Sequence, residues 1–243
     1  MRGARAALVF LTRLPGGTLS AEDFSRAPAW FGAVGLLLGL AQALVFLAAQ
    51  QLWPPVIAAM LAVIAGIVLT GGLHEDGLAD SFDGLGSGRP PARALEIMRD
   101  SRIGSHGAIA LGLVLALRVA ALAALGGVAP WVLIAAPALS RIVMALALRA
   151  GPYVRASGAG TGMTGPLGLP GNAVLALAGL LGLLGLTSVS VWAMLAGLVG
   201  LLPLAGLMRL WAQRRLGGVT GDILGAIQVL GEVGFSLGVL ACL

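Results

Sequence analysis

Seven long apolar stretches, separated by short breaks that are polar or contain glycine or proline, occupy most of the chain from residue 30 onward. A helix needs about 20 predominantly apolar residues to cross the hydrocarbon core of a bilayer. Backbone amides in lipid must be satisfied within the segment, which favours α-helices. The sequence therefore predicts an all-α polytopic membrane helical bundle of about seven transmembrane helices, within a range of about six to eight. The predicted spans are residues 30–52, 54–73, 107–126, 129–148, 172–187, 188–208 and 219–243.

The composition agrees with a lipid environment. Hydrophobic residues make up 58% of the chain and the mean hydropathy is +0.99, whereas soluble domains contain about 45–50% apolar residues. No soluble domain, coiled coil or internal repeat interrupts the pattern, so we expect a single integral membrane domain over residues 1–243. The lone Cys242 cannot form an internal disulfide. The sequence leaves a homo-oligomer open, and we expect no nucleic-acid partner.

The basic residues are concentrated in alternate connections between the predicted spans. All fifteen are Arg, and thirteen of them lie in residues 1–29, 74–106, 149–171 and 209–218. Basic residues are retained on the cytoplasmic side of membrane proteins, so these stretches and the N-terminus are predicted to be cytoplasmic. We therefore expect an integral protein of the prokaryotic cytoplasmic (inner) membrane. Arg suits bidentate binding of phosphate, although a biased genome composition would also replace Lys by Arg.

Residues 71–84, GGLHEDGLADSFDG, concentrate negative charge in a chain where only 10% of residues are charged. If residues 73–84 continue helically from the second span, Asp76, Asp80 and Asp83 lie within about 60° of one another on one face. Like charges at this spacing repel and need a compensating cation. Oxygen ligands suit Mg²⁺, or alternatively Mn²⁺. Asp76, Asp80 and Asp83 are therefore the predicted metal ligands, with Gly77 leaving space for a ligand beside them.

The same segment supplies candidates for a catalytic base. Glu75 points about 100° from Asp76 on an ideal helix, which suits a base better than a ligand for the same metal. His74 adjoins the carboxylate face and can accept a proton near neutral pH, and Asp83 is a third candidate. The alternative is a solvated acidic segment that offsets nearby arginines. A zinc protease is disfavoured because Leu78 stands where H-E-x-x-H requires its second histidine.

The next polar segment, EIMRDSRIGSHG, mixes charges of both signs just before the third predicted span. Arginines bind the non-bridging oxygens of phosphates, and acids orient them or hold a metal. Arg99, Asp100 and Arg102 are therefore predicted to bind a phosphorylated substrate. Ordinary salt bridges at the membrane surface are the alternative.

Two arginines, Arg118 and Arg141, fall inside predicted spans. An unpaired guanidinium is costly there, so each should face the bundle interior or a polar cavity. We expect Arg141 to bind substrate phosphate. A purely structural ion pair is the competing interpretation for both residues.

Two further polar segments contain candidate substrate-binding residues. The stretch YVRASGAGTGMTGPLG, residues 153–168, would let backbone amides and Arg155 surround an anion, or it would be a flexible linker. In GGVTGDILGAIQ, Asp222 lies at a predicted helix start, where Thr220 is expected to cap the helix. Capping alone would also explain both of these residues.

Taken together, these segments resemble the cobalamin-5'-phosphate synthase, or adenosylcobinamide-GDP ribazoletransferase, family. The resemblance rests on FLTRLP at 10–15, TGGLHEDGLADSFDG at 70–84, IMRDSRIGSHG at 97–107, GGVTGD at 217–222 and the Gly- and Thr-rich stretch after Tyr153. It implies an Mg²⁺-dependent integral membrane enzyme of late vitamin B12 synthesis. The implied reaction transfers the adenosylcobinamide-phosphate group from adenosylcobinamide-GDP to α-ribazole or its 5'-phosphate and releases GMP.

Other functions remain open at this point. CDP-alcohol phosphotransferases and membrane prenyltransferases also bind diphosphates through metal and spaced aspartates, but this segment lacks the arginine that follows D-G-x-x-A in the first of these families. An ion-coupled transporter would also use intramembrane Asp, Glu and Arg. Its polar groups belong near the bilayer midplane, whereas here the acids are predicted at one cytoplasmic edge. The pattern therefore favours an enzyme.

Overall fold

The predicted all-α architecture is confirmed by a computed structural model of the chain, which describes residues 2–155, 158 and 160–243. The single β contact in these ranges is an isolated bridge between Tyr153 and Val219. Short 3₁₀ turns occur at Ala27–Trp30 and Gly126–Val128. The helices are α1 Arg2–Leu11, α2 Ala21–Ser25, α3 Phe31–Ala49, α4 Pro55–Thr70, α5 Leu73–Gly86, α6 Pro91–Ile97, α7 Ser105–Leu125, α8 Ala129–Arg149, α9 Gly168–Thr187, α10 Val191–Leu216 and α11 Gly221–Leu240.

Each of the seven predicted apolar stretches coincides with a helix, namely α3, α4 and α7 to α11. In the described part of the chain, five helical segments are long and apolar enough to cross a membrane, or six if the bent pair of α4 and α5 counts as one span. This is fewer than the predicted seven for two reasons. Helix α4 has only 16 residues, and α7 and α8 run through the turn at Gly126–Val128 as one 45-residue segment.

Helix α11 lies at the centre of the bundle, and 78% of its apolar window is buried. It packs against α10, α8, α7 and α5. Gly200 of α10 and Gly234 of α11 meet backbone to backbone, with no room for a β-carbon at either position, and small residues of this kind let helices approach closely in lipid. The outer helices instead expose large apolar side chains, for example Leu180 on α9. This division fits a bundle surrounded by lipid tails.

A right-angle corner separates α4 from α5. The two helices are bent by 90° relative to each other, and Gly71 and Gly72 between them have φ values of 69° and 72°. Left-handed backbone at two consecutive positions favours glycine, because a β-carbon would be strained there. Residues 73–84 are therefore helical, as the spacing of the aspartates required, but they do not continue the second span in a straight line. The acidic segment forms its own helix, which lies outside the five membrane-crossing segments.

The end of α1 and the residues that follow it also lie beside the corner between α4 and α5. The rings of Phe10 on α1 and Phe31 on α3 stack with centroids 5.7 Å apart. Just beyond α1, the backbone N–H of Arg13 donates a hydrogen bond to the carbonyl oxygen of Leu69 at 2.8 Å. These contacts bring the FLTRLP segment beside the start of the acidic helix.

Candidate functional site

A cavity of about 860 Å³ opens beside the corner between α4 and α5. Its walls come from the end of α1, the first two turns of α5, and the segment that joins α6 to α7. The segments FLTRLP, GGLHEDGLADSFDG and EIMRDSRIGSHG, which were identified in the sequence, therefore all contribute to this cavity. The charged and hydroxyl-bearing side chains of the lining are Thr12, Arg13, Thr70, Asp76, Asp80, Arg99, Asp100 and Ser101.

Asp76 and Asp80 are the two predicted metal ligands that line the cavity. They stand one helical turn apart on α5. Burial raises the pKa of Asp80 to about 7, and the negative charges of Asp76 and Asp222 act in the same direction. A carboxyl group whose ionisation is opposed by neighbouring negative charges marks a place where a bound cation would be stabilising. Mg²⁺ is commonly held by only one or two carboxylates, with water and substrate phosphates completing its shell. This donor set therefore fits Mg²⁺ or Mn²⁺.

The third predicted ligand, Asp83, does not face the cavity. It is buried, and its two carboxylate oxygens accept hydrogen bonds from the backbone N–H groups of Gly104 at 2.7 Å and Gly107 at 2.8 Å. No three or more His, Cys, Asp or Glu side chains come together as a metal-binding group within residues 2–155, 158 and 160–243. The expected three-carboxylate set is thus reduced to Asp76 and Asp80. The base role predicted for Asp83 meets the same obstacle, because both oxygens already have partners.

His74 and Glu75, the other predicted bases, point into the bundle instead of lining the cavity. Both are buried, and neither His74 Nε2 nor Glu75 Oε2 has a hydrogen-bond partner among the described residues. The Glu75 carboxylate lies within electrostatic range of Arg118, Arg141 and Glu232. Asp76 lines the cavity, whereas the adjacent Glu75 is buried against neighbouring helices. Neither His74 nor Glu75 lines the cavity.

Arg141 was expected to bind substrate phosphate and instead belongs to a buried polar network. Its Nη1 donates to Glu232 Oε1 at 3.1 Å. Arg118 forms an ion pair with the other oxygen of Glu232 and donates to Gln42 Oε1 at 3.0 Å. The side chains of Arg118, Arg141 and Glu232 are 6%, 3% and 3% exposed. Both arginines therefore form the structural ion pair that was the competing interpretation.

Arg155 and Asp222, two further predicted substrate-binding residues, form an ion pair with each other at 2.6 Å. Their segments are joined by backbone hydrogen bonds, from Val219 N to Pro152 O at 2.9 Å and from Val154 N to Val219 O at 3.0 Å. Arg155 also donates to the carbonyl oxygen of Met98 at 3.4 Å. Neither charged side chain lines the cavity. The phosphate-binding loop predicted for residues 153–168 is described only in part, because residues 156, 157 and 159 lie outside the described residues.

Thr220 caps α11, as its position before Asp222 predicts. The Thr220 hydroxyl accepts a hydrogen bond from the backbone N–H of Ile223 at 3.2 Å. Asp222 then lies in the first turn of α11, where a carboxylate complements the helix dipole. Gly77 of α5 packs against the Asp222 backbone. The space that Gly77 was expected to leave for a ligand is thus filled by α11.

The predicted group Arg99, Asp100 and Arg102 divides in two. Arg99 is exposed and lines the cavity. The side chain of Arg102 is 87% exposed, and its Nη2 donates a hydrogen bond to Asp100 Oδ2 at 2.6 Å. Hydrogen bonds from the side chain and backbone N–H of Arg102 lower the pKa of Asp100 to about 2. Asp100 also borders the cavity, whereas Arg102 does not. The surface salt bridge that was the alternative reading is therefore present for Asp100 and Arg102.

Sequence reasoning did not assign Arg13, which the structure places in the cavity wall. Within the described ranges, neither Arg13 nor Arg99 takes part in an ion pair. The sequence signal was present, since Arg13 is the charged residue of FLTRLP. Asp76 and Asp80 share the cavity with these two unpaired arginines, and this combination suits a phosphorylated ligand with a bound metal.

Comparison with known proteins identifies the family to which the chain belongs. Residues 3–240 match the family described as cobalamin-5-phosphate synthase. The chain is 42% identical over 248 residues to the adenosylcobinamide-GDP ribazoletransferase of Azorhizobium caulinodans, covering 97% of this chain and 94% of the relative. It is 40% identical over 239 residues to the protein of the same name from Shewanella amazonensis, covering 93% and 90%. No solved structure matches the chain. By sequence over nearly its whole length, the chain belongs to the cobalamin-5-phosphate synthase family.

Proposed function

We propose that this chain is an adenosylcobinamide-GDP ribazoletransferase. In this reaction the adenosylcobinamide-phosphate group passes from adenosylcobinamide-GDP to α-ribazole or α-ribazole 5'-phosphate, and GMP is released. Family membership supports the reaction class, and two curated relatives carry this name. The observation on this chain that carries the proposal is the cavity in which Asp76 and Asp80 lie together with Arg13 and Arg99.

Asp76 and Asp80 would hold Mg²⁺, or Mn²⁺ in its place. When bound, such an ion neutralises the charge of a diphosphate and stabilises the departing phosphate. The support in this chain is the pair of oxygen donors on consecutive turns and the raised pKa of Asp80. Only two protein carboxylates are needed, because the diphosphate itself supplies further oxygens.

Arg13 and Arg99 would bind non-bridging phosphate oxygens of the substrate. Their guanidinium groups have no acidic partner among the described residues, so substrate binding breaks no existing ion pair. Thr12 and Ser101 add hydroxyl groups to the same lining. Arginine suits this role because its planar donors match two phosphate oxygens at once.

In the proposed reaction a ribazole hydroxyl oxygen attacks the phosphorus atom that carries cobinamide. A new bond from phosphorus to the ribazole oxygen forms, and the bond from the same phosphorus to the bridging oxygen of GMP breaks. Phosphoryl transfer depends mainly on positioning and charge stabilisation, which the arginines and aspartates supply. The hydroxyl proton would leave through the carboxylates of the cavity or through water, since His74 and Glu75 face the bundle interior.

We further propose that the cavity faces the cytoplasm of a prokaryotic cell and that the bundle lies in the cytoplasmic membrane. The support is the distribution of arginine, which is concentrated in the connections that also carry the cavity residues. Basic residues near membrane helices favour the cytoplasmic side. Both substrates would then be taken from the inner surface of the membrane.

The test is GMP release by the purified full chain in lipid nanodiscs. Adenosylcobinamide-GDP and α-ribazole would be supplied with Mg²⁺, with Mn²⁺, and with a chelator, and the reaction products separated by chromatography. We expect GMP and the coupled corrinoid in equal amounts only when a divalent ion is present. Asp80→Asn should abolish turnover, whereas Glu96→Gln, a change in an exposed ion pair outside the cavity, serves as the matched control. A folded protein that releases no GMP, or that turns over equally well in chelator, would refute the proposal.

A further inference from the structure

Asp83 connects α5 to the start of α7 through the backbone of a segment more than twenty residues away. Its Oδ2 accepts a hydrogen bond from Gly104 N at 2.7 Å and its Oδ1 accepts one from Gly107 N at 2.8 Å. The side chain is 8% exposed. Both amides belong to the first-turn region of α7, which begins at Ser105. Hydrogen bonds to an ionised carboxylate are stronger than neutral ones, and a negative charge complements a helix N-terminus.

The two glycines fit closely around this carboxylate. A β-carbon at Gly104 would lie 2.5 Å from Asp83 Oδ1, and one at Gly107 would lie 2.7 Å from the carbonyl oxygen of Ala79. Neither glycine has a positive φ, so their importance here is steric. Side chains at these two positions would push α7 away from α5 and separate the amides from Asp83.

The segment held in this way forms one wall of the cavity. Arg99, Asp100, Ser101 and Ile103 all line the cavity and lie directly before Gly104. Asp76 and Asp80 also line the cavity and belong to α5, the helix that carries Asp83. Asp83 thus joins the wall that carries the two acids to the wall that carries Arg99.

We propose that Asp83 is a positioning residue that fixes the Arg99 segment against α5, and that it does not contact the metal or the substrate. The assignment of Arg99 to substrate phosphate rests on the function proposed above. The hydrogen-bonded connection itself does not depend on that function. If Asp83 were a metal ligand, its variants would behave differently from those of a positioning residue, so experiments can separate the two roles.

The first measurement is hydrogen–deuterium exchange of peptides that cover residues 99–110, without substrate or metal. Asn at position 83 keeps one acceptor oxygen but presents an NH₂ group to the second amide. Asp83→Asn should therefore speed exchange at Gly104 and Gly107 by about tenfold or more, as expected for loss of a charge-assisted hydrogen bond. Asp80→Asn is the matched control on the same helix and should leave this exchange unchanged. Unchanged exchange in Asp83→Asn would overturn the proposal.

The second measurement is Mn²⁺ binding followed by electron paramagnetic resonance. A positioning role predicts that Asp83→Asn keeps Mn²⁺ affinity within about twofold, whereas Asp80→Asn weakens it by about tenfold or more. Equal weakening in both variants would assign Asp83 to the metal and overturn the proposal.

The third measurement uses the glycines. Asp83→Asn should also raise the KM for adenosylcobinamide-GDP, because the segment that carries Arg99 is no longer fixed against α5. Gly107→Ala changes no ionisable group, yet it should reproduce both the faster exchange and the raised KM. Gly112→Ala, further along α7 with open space around it, should change neither. A Gly107→Ala protein with normal exchange and normal KM would contradict the proposal. If the wild-type chain released no GMP, the exchange measurements would still decide the role of Asp83, so the two failures remain distinguishable.

Discussion

Gly77 of α5 lies directly against Asp222 of α11: a β-carbon at Gly77 would be 2.8 Å from the Asp222 carbonyl oxygen and 3.0 Å from its Cα. Backbone atoms cannot move aside as a flexible side chain can. We therefore predict that Gly77→Ala separates the two helices, displaces Asp76, and lowers stability by about 1–3 kcal/mol. Thermal unfolding in nanodiscs and GMP release would measure both effects.

Gly112→Ala is the control for this prediction, because its β-carbon would have nothing within 4 Å. Alanine is the better helix former, so this change should be neutral or stabilising by about 0.5–1 kcal/mol. Equal effects of the two substitutions would show that the close approach between α5 and α11 is unimportant.

The buried network around Glu232 gives a prediction about stability. Glu232→Gln leaves Arg118 and Arg141 without their carboxylate in surroundings where both are almost fully buried. Removing one member of a buried ion pair costs about 3–5 kcal/mol. We expect a large fall in the thermal unfolding temperature. Glu96→Gln removes an exposed partner of Arg93, both more than 60% exposed, and should change stability by about 1 kcal/mol or less. Similar losses in both variants would contradict the prediction.

The two unpaired arginines of the cavity should act on substrate affinity. Arg99→Gln and Arg13→Gln each remove a charged donor, and we expect kcat/KM for adenosylcobinamide-GDP to fall by about ten- to a hundredfold, mainly through KM. Steady-state kinetics with α-ribazole held at saturation would measure this. Arg93→Gln, which changes an exposed arginine outside the cavity, is the matched control. Unchanged KM in both cavity variants would exclude them from phosphate binding.

Asp80 should make metal binding dependent on pH. Its pKa is raised to about 7 in the metal-free protein, so below that pH the carboxyl is mostly protonated and a cation must displace the proton. Mn²⁺ affinity should therefore be nearly constant above about pH 7.5 and fall by about tenfold per pH unit below about pH 6.5. Titrations at several pH values would test this. An affinity that stays constant down to pH 5 would show that Asp80 is ionised without the metal.

The sequence predicted the helices well because long apolar stretches carry a strong signal in any membrane bundle. It also predicted Asp76 and Asp80 correctly as neighbours on one helical face, since their four-residue spacing is local. The 90° corner between α4 and α5 was not predicted, because its direction depends on how α5 packs against α11. The angle between two consecutive helices is set by tertiary packing and not by the local sequence.

Asp83, Arg141 and Arg155 do not line the cavity, and each has a partner from a distant part of the chain. Asp83 has the correct spacing for the acidic face, yet its oxygens bind amides from another helix. Arg141 is paired with Glu232, ninety-one residues later, and Arg155 with Asp222. From the sequence one can predict that a charged residue in an apolar segment will be paired. Its partner depends on how the helices pack, which local spacing does not determine.

The placement of Glu232 also bears on how the bundle is assembled during synthesis. Helices α7 and α8 leave the ribosome before α11, and each carries one arginine destined for an apolar interior. An arginine at the centre of a membrane helix opposes insertion by about 2.5–3.5 kcal/mol. Glu75 of α5 lies within electrostatic range of both arginines, but the carboxylate that forms ion pairs with them arrives only with α11. Packing of α11 into the bundle is therefore a late step of biogenesis. A nascent chain that ends before Glu232 would contain Arg118 and Arg141 without the carboxylate that pairs with them.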